Sequence, residues 1–153
     1  MNDQDYMKEA VKEARKALAL GEVPIGAIIV KDKEIIARGF NRRETDQQTT
    51  QHAEIIAIKG ACTALKSWRL ESCTLYVTQE PCVMCSGAII QARIPKVRYG
   101  TTDLKNGAHV SQLRLYDIPF NHRVDVRGGI LKQETSDLIK DFFSTLRKQK
   151  NNV

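Results

Sequence analysis

The fold is decided by residues 52–99, which read HAEIIAIKGACTALKSWRLESCTLYVTQEPCVMCSGAIIQARIPKVRY. Apolar residues recur at helical spacing over 52–65, and a short β-prone run follows over 73–78. A second helix is predicted over 81–93, because the proline at its start suits a first helical turn, and a second strand over 96–99. Helix and strand therefore alternate along this stretch.

The segments on either side continue this alternation. On the amino-terminal side, the spacing predicts an amphipathic helix over 3–20 and a hairpin of two largely buried strands over 25–30 and 34–40. On the carboxyl-terminal side, an alternating run over 123–127 predicts a fifth strand, and a last amphipathic helix ends near residue 150. We therefore predict an α/β protein, a three-layer α/β/α sandwich in which helices flank a mixed five-stranded sheet.

Length and composition limit the class of protein. A chain of 153 residues with 42% hydrophobic residues suits one domain, residues 1–153, and excludes general disorder. The longest apolar run, 23–30, is far shorter than the roughly 20 residues that cross a bilayer, so no membrane association is expected. The start of the chain lacks the pattern of a signal peptide, and four cysteines are too few for a disulfide scaffold. We expect a cytoplasmic protein.

The charged residues are distributed unevenly. The formal net charge is +6; residues 1–92 carry twelve basic and twelve acidic groups, whereas residues 93–153 carry twelve and six. The excess positive charge therefore lies in the last part of the chain, which predicts a polyanionic partner for that part. A solvated helix face is the alternative explanation.

Two short motifs, each at the start of a predicted helix, indicate chemistry. They are His52-Ala53-Glu54 and Pro81-Cys82-Val83-Met84-Cys85. One imidazole and two thiolates form a ligand set suited to tetrahedral zinc with a fourth position open for water, and amides at a helix start favour thiolates at Cys82 and Cys85. Separately, the motifs also fit a redox Cys pair and a helix cap. Together they form the signature of zinc nucleobase deaminases.

With these motifs the sequence resembles the bacterial tRNA-specific adenosine deaminases of the cytidine-deaminase-like superfamily. The resemblance implies the cytidine-deaminase-like fold, a homodimer, one Zn²⁺ per chain, and conversion of a wobble adenosine in a tRNA anticodon stem-loop to inosine. Further matching segments are 22–27, 39–42, 67–70, 74–78, 121–123 and 142–143.

The motif residues support a hydrolytic mechanism for such an enzyme. Zinc held by His52, Cys82 and Cys85 would lower the pKa of its water toward ~7, so that hydroxide attacks C6. Glu54 would accept the proton of that water, deliver it to the ring nitrogen and then protonate the departing amine. The resemblance also implies that the backbone at Ala53 and Cys82 holds atoms of the base.

Other site residues are implied by the resemblance alone. Asn41 should hydrogen-bond the purine, although a left-handed turn after a strand would also explain an asparagine there. Asn121 and His122 match positions that touch the anticodon loop, and Phe143 with Arg147 would add stacking and phosphate contact. The alternative for Phe143 is a place in the core of an amphipathic helix. Asp103 and Lys105 also occupy positions that approach the RNA in relatives.

Several residues depart from the family pattern or have an ordinary structural explanation. Gln51, Gln79 and the segment 108–113 differ from the usual sequence, which affects fine substrate contacts but leaves the metal motif intact. Cys62 and Cys73 are expected to pack as small apolar residues. Trp68 is expected to pack beneath a helix-to-strand turn.

Two other functions are compatible with parts of the sequence. A free-base or nucleoside deaminase, such as a guanine or cytidine deaminase, would use the same zinc chemistry. A noncatalytic zinc-stabilised RNA-binding module would also explain a metal motif and basic charge. Histidine at the first ligand position and the basic last third favour the RNA enzyme over the first alternative, and Glu54 argues against the second.

Overall fold

Strands and helices alternate along the chain after an initial helix and hairpin, as predicted. The computed structural model describes residues 1–151, so the last two residues of the predicted domain, Asn152 and Val153, lie outside the described part. The elements are α1 (Asp3–Ala19), β1 (Gly26–Lys31), β2 (Glu34–Phe40), α2 (Arg43–Asp46), α3 (Ala53–Leu65), β3 (Cys73–Gln79), α4 (Val83–Gln91), β4 (Lys96–Thr101), a 3₁₀ turn (Leu115–Asp117), β5 (Asp125–Arg127) and α5 (Lys132–Asn151).

The five strands form one mixed sheet in the order β2-β1-β3-β4-β5, which confirms the predicted sheet. β1 is antiparallel to both of its neighbours, β2 and β3, whereas β3, β4 and β5 are parallel. It follows that β2, β3, β4 and β5 all run in the same direction. Their carboxyl ends lie along one edge of the sheet, here called the carboxyl edge.

The two faces of the sheet are covered by different helices, as the three-layer prediction requires. Alternate residues of β1 and β3 point to opposite faces, because the side-chain period of a strand is two. One set packs with α1: Tyr6, Met7, Ala10, Ile28, Val30 and Tyr76. The other packs with α3 and α4: Ala27, Ile29, Ala53, Ala57, Leu75, Val77 and Ile89. Helix α5 joins the first layer, where Leu138 packs with Val11 and Ala14.

Two details differ from the sequence-based expectation. Helix α4 begins at Val83, because the antiparallel bridge between Cys82 and Gly107 and the hydrogen bond from the Ala108 amide to the Pro81 carbonyl keep the preceding residues extended. The prediction that Trp68 packs beneath a turn is wrong. Its side chain is 57% exposed, with the Arg69 guanidinium 4.7 Å from the ring centroid.

Among residues 1–151, no helix is both long enough and apolar enough to cross a membrane.

The backbone of helix α3 approaches β2 closely at Gly39. A Cβ on Gly39 would lie 2.5 Å from the Ala53 carbonyl oxygen and 2.8 Å from the Ala57 nitrogen, both backbone atoms of α3. Backbone atoms of a packed helix cannot rotate away, so a methyl group would displace the first turn of α3. Glycine at position 39 therefore sets the height of α3 above the sheet.

We predict that Gly39→Ala destabilises the protein by about 1–3 kcal/mol through overpacking and lowers the Tm by roughly 3–10 °C, measured by circular dichroism. The matched control is Gly60→Ala on α3, whose Cβ would meet only the Ala37 side chain at 3.2 Å. A glycine-to-alanine change within a helix gains up to about 1 kcal/mol, which offsets the tighter contact. Equal Tm values for the two variants would contradict this account.

Candidate active site

The amino termini of α3 and α4 meet at the carboxyl edge of the sheet. Helix α3 follows β2 after the short helix α2, and helix α4 follows β3; both strands end at this edge. His52 is the N-cap of α3 and Cys82 is the N-cap of α4. Both have extended backbone, and neither side chain caps its own helix. The two side chains are thus available to each other across the gap between the helices.

His52, Cys82 and Cys85 form a compact three-residue cluster. The Nδ1 atom of His52 lies 3.7 Å from Sγ of Cys82 and 3.5 Å from Sγ of Cys85. With Zn–S near 2.3 Å and Zn–N near 2.0–2.1 Å, a tetrahedral ion holds sulfur and nitrogen ligands about 3.6 Å apart. The three ligand atoms, all within 4.8 Å of one another, could therefore hold a metal ion without rearrangement.

The two thiols of the cluster differ in acidity. A hydrogen bond from Cys85, together with the one from His52, lowers the pKa of Cys82 to about 4 despite its burial. The pKa of Cys85 is raised, first by that same hydrogen bond and then by burial. Helix amides were expected to favour thiolates at both cysteines, but the pKa is lowered only at Cys82, and there mainly by side-chain hydrogen bonds. A cation between the sulfurs would supply the stabilisation that the second thiolate requires.

Glu54 lies one residue inside α3 from Ala53, and its side chain is only 4% exposed. Burial, followed by the charge of Cys82, raises the pKa of its carboxyl group to about 7. It borders the cluster of His52, Cys82 and Cys85 but does not belong to it. A buried carboxyl group that takes up and gives back a proton near neutral pH is suited to general acid–base chemistry.

A cavity of about 830 Å³ opens onto this cluster. Exposed basic side chains lie on its wall at Arg43, Lys105, Lys140 and Arg147, and exposed apolar side chains at Val83, Leu104 and Phe143. The remaining lining residues are Val23, Ile25, Asn41, Thr49, His52, Ala53, Glu54, Gln79, Glu80, Cys82, Met84, Thr102, Asp103, Asn106 and Ile139.

Comparison with known proteins assigns the family. A family model of MafB19-like deaminases matches residues 1–147. A tRNA-specific adenosine deaminase of Bacillus subtilis is 50% identical over 97% of this chain and 92% of its own length. One from Aquifex aeolicus is 46% identical over 100% of this chain and 99% of its own. This chain belongs to the tRNA-specific adenosine deaminase family.

The fold of this deaminase agrees with that of a solved relative. A structure from studies of A-to-I editing at the wobble position of transfer RNA superposes with a TM-score of 0.85 at 44% identity, covering 88% of this chain and 98% of that one. The predicted cytidine-deaminase-like architecture is thereby confirmed. The chain is an enzyme of the hydrolytic deaminase class.

Four of the predicted substrate residues line the cavity of the deaminase: Asn41, Ala53, Phe143 and Arg147. The Asn41 side chain donates to the Val23 carbonyl at 3.2 Å and accepts from the Arg43 amide at 3.2 Å. Asn41 does not have positive φ, so the left-handed turn proposed as its alternative role is wrong. Its amide group keeps one N–H and one lone pair beyond these two bonds.

Asn121 and His122 lie away from this cavity. The His122 ring nitrogen Nε2 is bonded to the Ile94 carbonyl at 2.8 Å, and Ile94 precedes β4. The amino end of β4 is at the sheet edge opposite the carboxyl edge. The roles of Asn121 and His122 in RNA contact remain predictions.

Two buried carboxylates were not identified from the sequence. Glu22 accepts hydrogen bonds from the Glu44 and Thr45 amides and so holds α2, which carries Arg43 to the cavity. Glu80 binds a segment of the cavity wall. Burial opposes ionisation of both, but hydrogen bonds outweigh it and lower their pKa values. In the sequence each of these residues is only an acidic residue beside an apolar run. That pattern also fits an exposed turn, so it does not indicate a buried carboxylate.

The remaining cysteines and His109 behave as ordinary packing residues. Cys73 is buried and Cys62 half-buried, and within the described chain neither belongs to a possible metal-binding group. His109 is hydrogen-bonded through Nδ1 to the Tyr99 hydroxyl at 2.8 Å.

Proposed function

We propose that this protein is a zinc-dependent enzyme that deaminates the wobble adenosine of a tRNA anticodon loop to inosine. The main observation in support of this proposal is the buried carboxyl group of Glu54, which lies beside the cluster of three possible metal ligands at the base of an open cavity. The family of the chain indicates the RNA substrate.

The character of the cavity wall supports an RNA loop over a free base. Positively charged grooves with apolar or aromatic surfaces bind single-stranded nucleic acid, because phosphates pair with the charges and bases stack on the apolar groups. Phe143 and Leu104 supply such surfaces here, and Arg43 and Arg147 supply charge. A site for a free base would need only the inner part of this cavity. An unpaired loop also suits a narrow inner pocket, since its bases need not be extracted from a duplex.

His52, Cys82 and Cys85 would hold a zinc ion, which when bound would make a water molecule acidic enough to act as a nucleophile at neutral pH. Glu54 accepts a proton from the attacking water and transfers it to the ring nitrogen N1 as the new C–O bond forms at C6. Glu54 then carries the second proton to the amino group, the C–N bond breaks, and ammonia leaves. Adenosine and water thus yield inosine and ammonia.

The remaining residues would bind and orient the base. Asn41 offers a free N–H and a free lone pair to the purine, and the backbone at Ala53 and Cys82 lies beside the reacting ring. Phe143 would stack on a neighbouring base, and Arg147 would contact a phosphate. We also propose the homodimer, and contacts of Asn121 and His122 with the anticodon stem-loop from the other edge of the sheet. We propose a cytoplasmic location, where tRNA is processed.

The function is tested with a synthetic anticodon stem-loop that carries adenine at the wobble position. We expect inosine in this RNA by mass spectrometry of its nucleosides, and none in a stem-loop with the adenine moved one position. Free adenosine, guanine and cytidine serve as parallel substrates. Deamination of a free base or nucleoside without editing of the RNA would identify the free-base alternative, and binding without any deamination the noncatalytic module.

Two neighbouring residues of α5 test the contribution of charge to this binding. Arg147 lines the cavity, whereas Lys148 does not. Removal of one side chain that pairs with a phosphate should reduce the slope of log affinity against log salt by about 0.7 for single-stranded RNA. Arg147→Glu should therefore weaken stem-loop binding and flatten its salt dependence more than Lys148→Glu does.

We predict one zinc ion per chain, held by His52, Cys82 and Cys85. Substitution of Cys82 or Cys85 by serine should release the metal and lower the Tm, because metal binding free energy is coupled to folding. Cys62→Ser is the control, since Cys62 lies outside the cluster. Elemental analysis measures zinc per chain; full zinc in Cys82→Ser, or loss of zinc in Cys62→Ser, would refute the ligand assignment.

We predict that Glu54→Gln keeps zinc and fold but loses nearly all turnover. Glutamine has almost the same shape but cannot accept and release the proton, and general acid–base catalysis contributes roughly 10²–10⁴-fold. Single-turnover editing of the stem-loop measures the loss, and binding of the RNA should persist. A folded, zinc-loaded variant with turnover within tenfold of the wild type would assign the proton transfers to another group.

A further inference from the structure

The Glu80 carboxylate lies at the centre of a dense group of hydrogen-bond donors. The residue is only 3% exposed. Its carboxylate oxygens accept hydrogen bonds from the backbone amides of Asp103 at 3.0 Å, His109 at 3.0 Å, Val110 at 2.9 Å and Ser111 at 3.1 Å. The Ser111 hydroxyl donates a fifth bond. All five donors come from one segment, residues 103–111, which we call the clamp segment.

The clamp segment has no strand or helix of its own over these residues. A buried amide without a partner is costly, so the Glu80 carboxylate takes over the role that a hydrogen-bond ladder has elsewhere. Two further contacts, the bridge from Gly107 to Cys82 and the bond from the Ala108 amide to Pro81, hold its middle. A Cβ on Gly107 would overlap the Glu80 carboxyl group, which explains the glycine at this position.

The amino-terminal part of this segment reaches the mouth of the cavity. Asp103, Leu104, Lys105 and Asn106 line its wall, and Leu104 is 76% exposed, so it is not anchored by the core. The Asp103 carboxylate accepts from the Lys105 and Asn106 amides, so these residues form one turn with Asp103. Glu80 fixes the start of that turn through the Asp103 amide. Asp103 and the run 109–111 are the ends of the clamp segment that Glu80 binds.

We propose that Glu80 is a positioning residue that fixes the wall of the cavity at residues 103–106 and thereby sets affinity for the RNA. This inference deepens the proposed function and rests on it. Glu80 acts through the clamp segment, and its carboxylate oxygens are occupied by that segment. His109 and Val110 contribute backbone amides to Glu80, so the departures from the family pattern at these positions leave the contact intact.

A carboxylate is required because four of its five partners are backbone amides, which can only donate. The Glu80→Gln variant keeps the size of the side chain but turns an N–H₂ group toward backbone N–H groups, which cannot accept a hydrogen bond. With the N–H₂ group at the Oε1 position, the Ser111 hydroxyl can accept from it, but the bond from the Asp103 amide is lost. The end of the clamp segment at the cavity wall is then no longer held by Glu80. The Ser111→Ala variant removes the hydroxyl donor alone and leaves the four amide bonds.

The experiment measures KM and kcat for stem-loop editing in the wild type, Glu80→Gln and Ser111→Ala, with zinc per chain and circular dichroism as checks. We expect Glu80→Gln to raise KM at least tenfold while kcat stays within threefold, and Ser111→Ala to raise KM two- to threefold. Lys8→Ala, a change at an exposed residue of α1 outside the cavity, is the control and should leave both constants unchanged. Hydrogen exchange should quicken at the amides of the clamp segment and remain unchanged in β3.

A folded Glu80→Gln protein with wild-type KM would overturn the inference, as would a variant that loses zinc and kcat while KM is kept. Where Glu80→Gln does not fold, an unchanged KM in Ser111→Ala overturns it. Failure of the wild type to edit any stem-loop refutes the proposed function, and the inference with it. Editing by the wild type together with an unchanged KM in the variants refutes the inference alone.

Discussion

The site depends on one constraint: two helices must begin at the same edge of the sheet. Because β2 and β3 run in the same direction, the helices that follow them start side by side. N-cap residues with extended backbone then direct an imidazole and a thiolate toward each other. The ligand distances are a property of the backbone, and the close approach of α3 to Gly39 fixes one side of the pair.

The cavity is built from two kinds of structure. Its base belongs to the regular sandwich, where Ala53, Glu54 and Cys85 are buried between helices and sheet. Its wall belongs to irregular segments that buried carboxylates hold in place, with Glu22 binding α2 and Glu80 binding the clamp segment. The residues at the base, where the chemistry would occur, are therefore held in place by core packing. The residues of the wall, which would contact the substrate, are held in place by hydrogen bonds to buried carboxylates.

The architecture and the clustering of His52, Cys82 and Cys85 could be predicted from the sequence, because both leave local signals. Strand and helix periods identify the layers, and a Cys-x-x-Cys spacing brings two thiols to one helical turn. The buried state of Glu80 was not predictable, since its partners lie 23 to 31 residues further along an irregular segment. The prediction for Trp68 was wrong for a related reason. An indole is usually buried in the core, but the turn after α3 directs this one outward, beside Arg69 and Arg93.

The outward orientation of Trp68 has a practical consequence for spectroscopy. It is the only tryptophan of the chain, and it follows the end of α3 that lies about 20 Å from His52 along a thirteen-residue helix. Its emission is therefore too remote to be quenched by a base that stacks in the cavity. Intrinsic fluorescence will report on the solvent and the guanidinium groups around the indole, and a dye or a fluorescent base analogue in the RNA is needed to follow occupancy of the pocket.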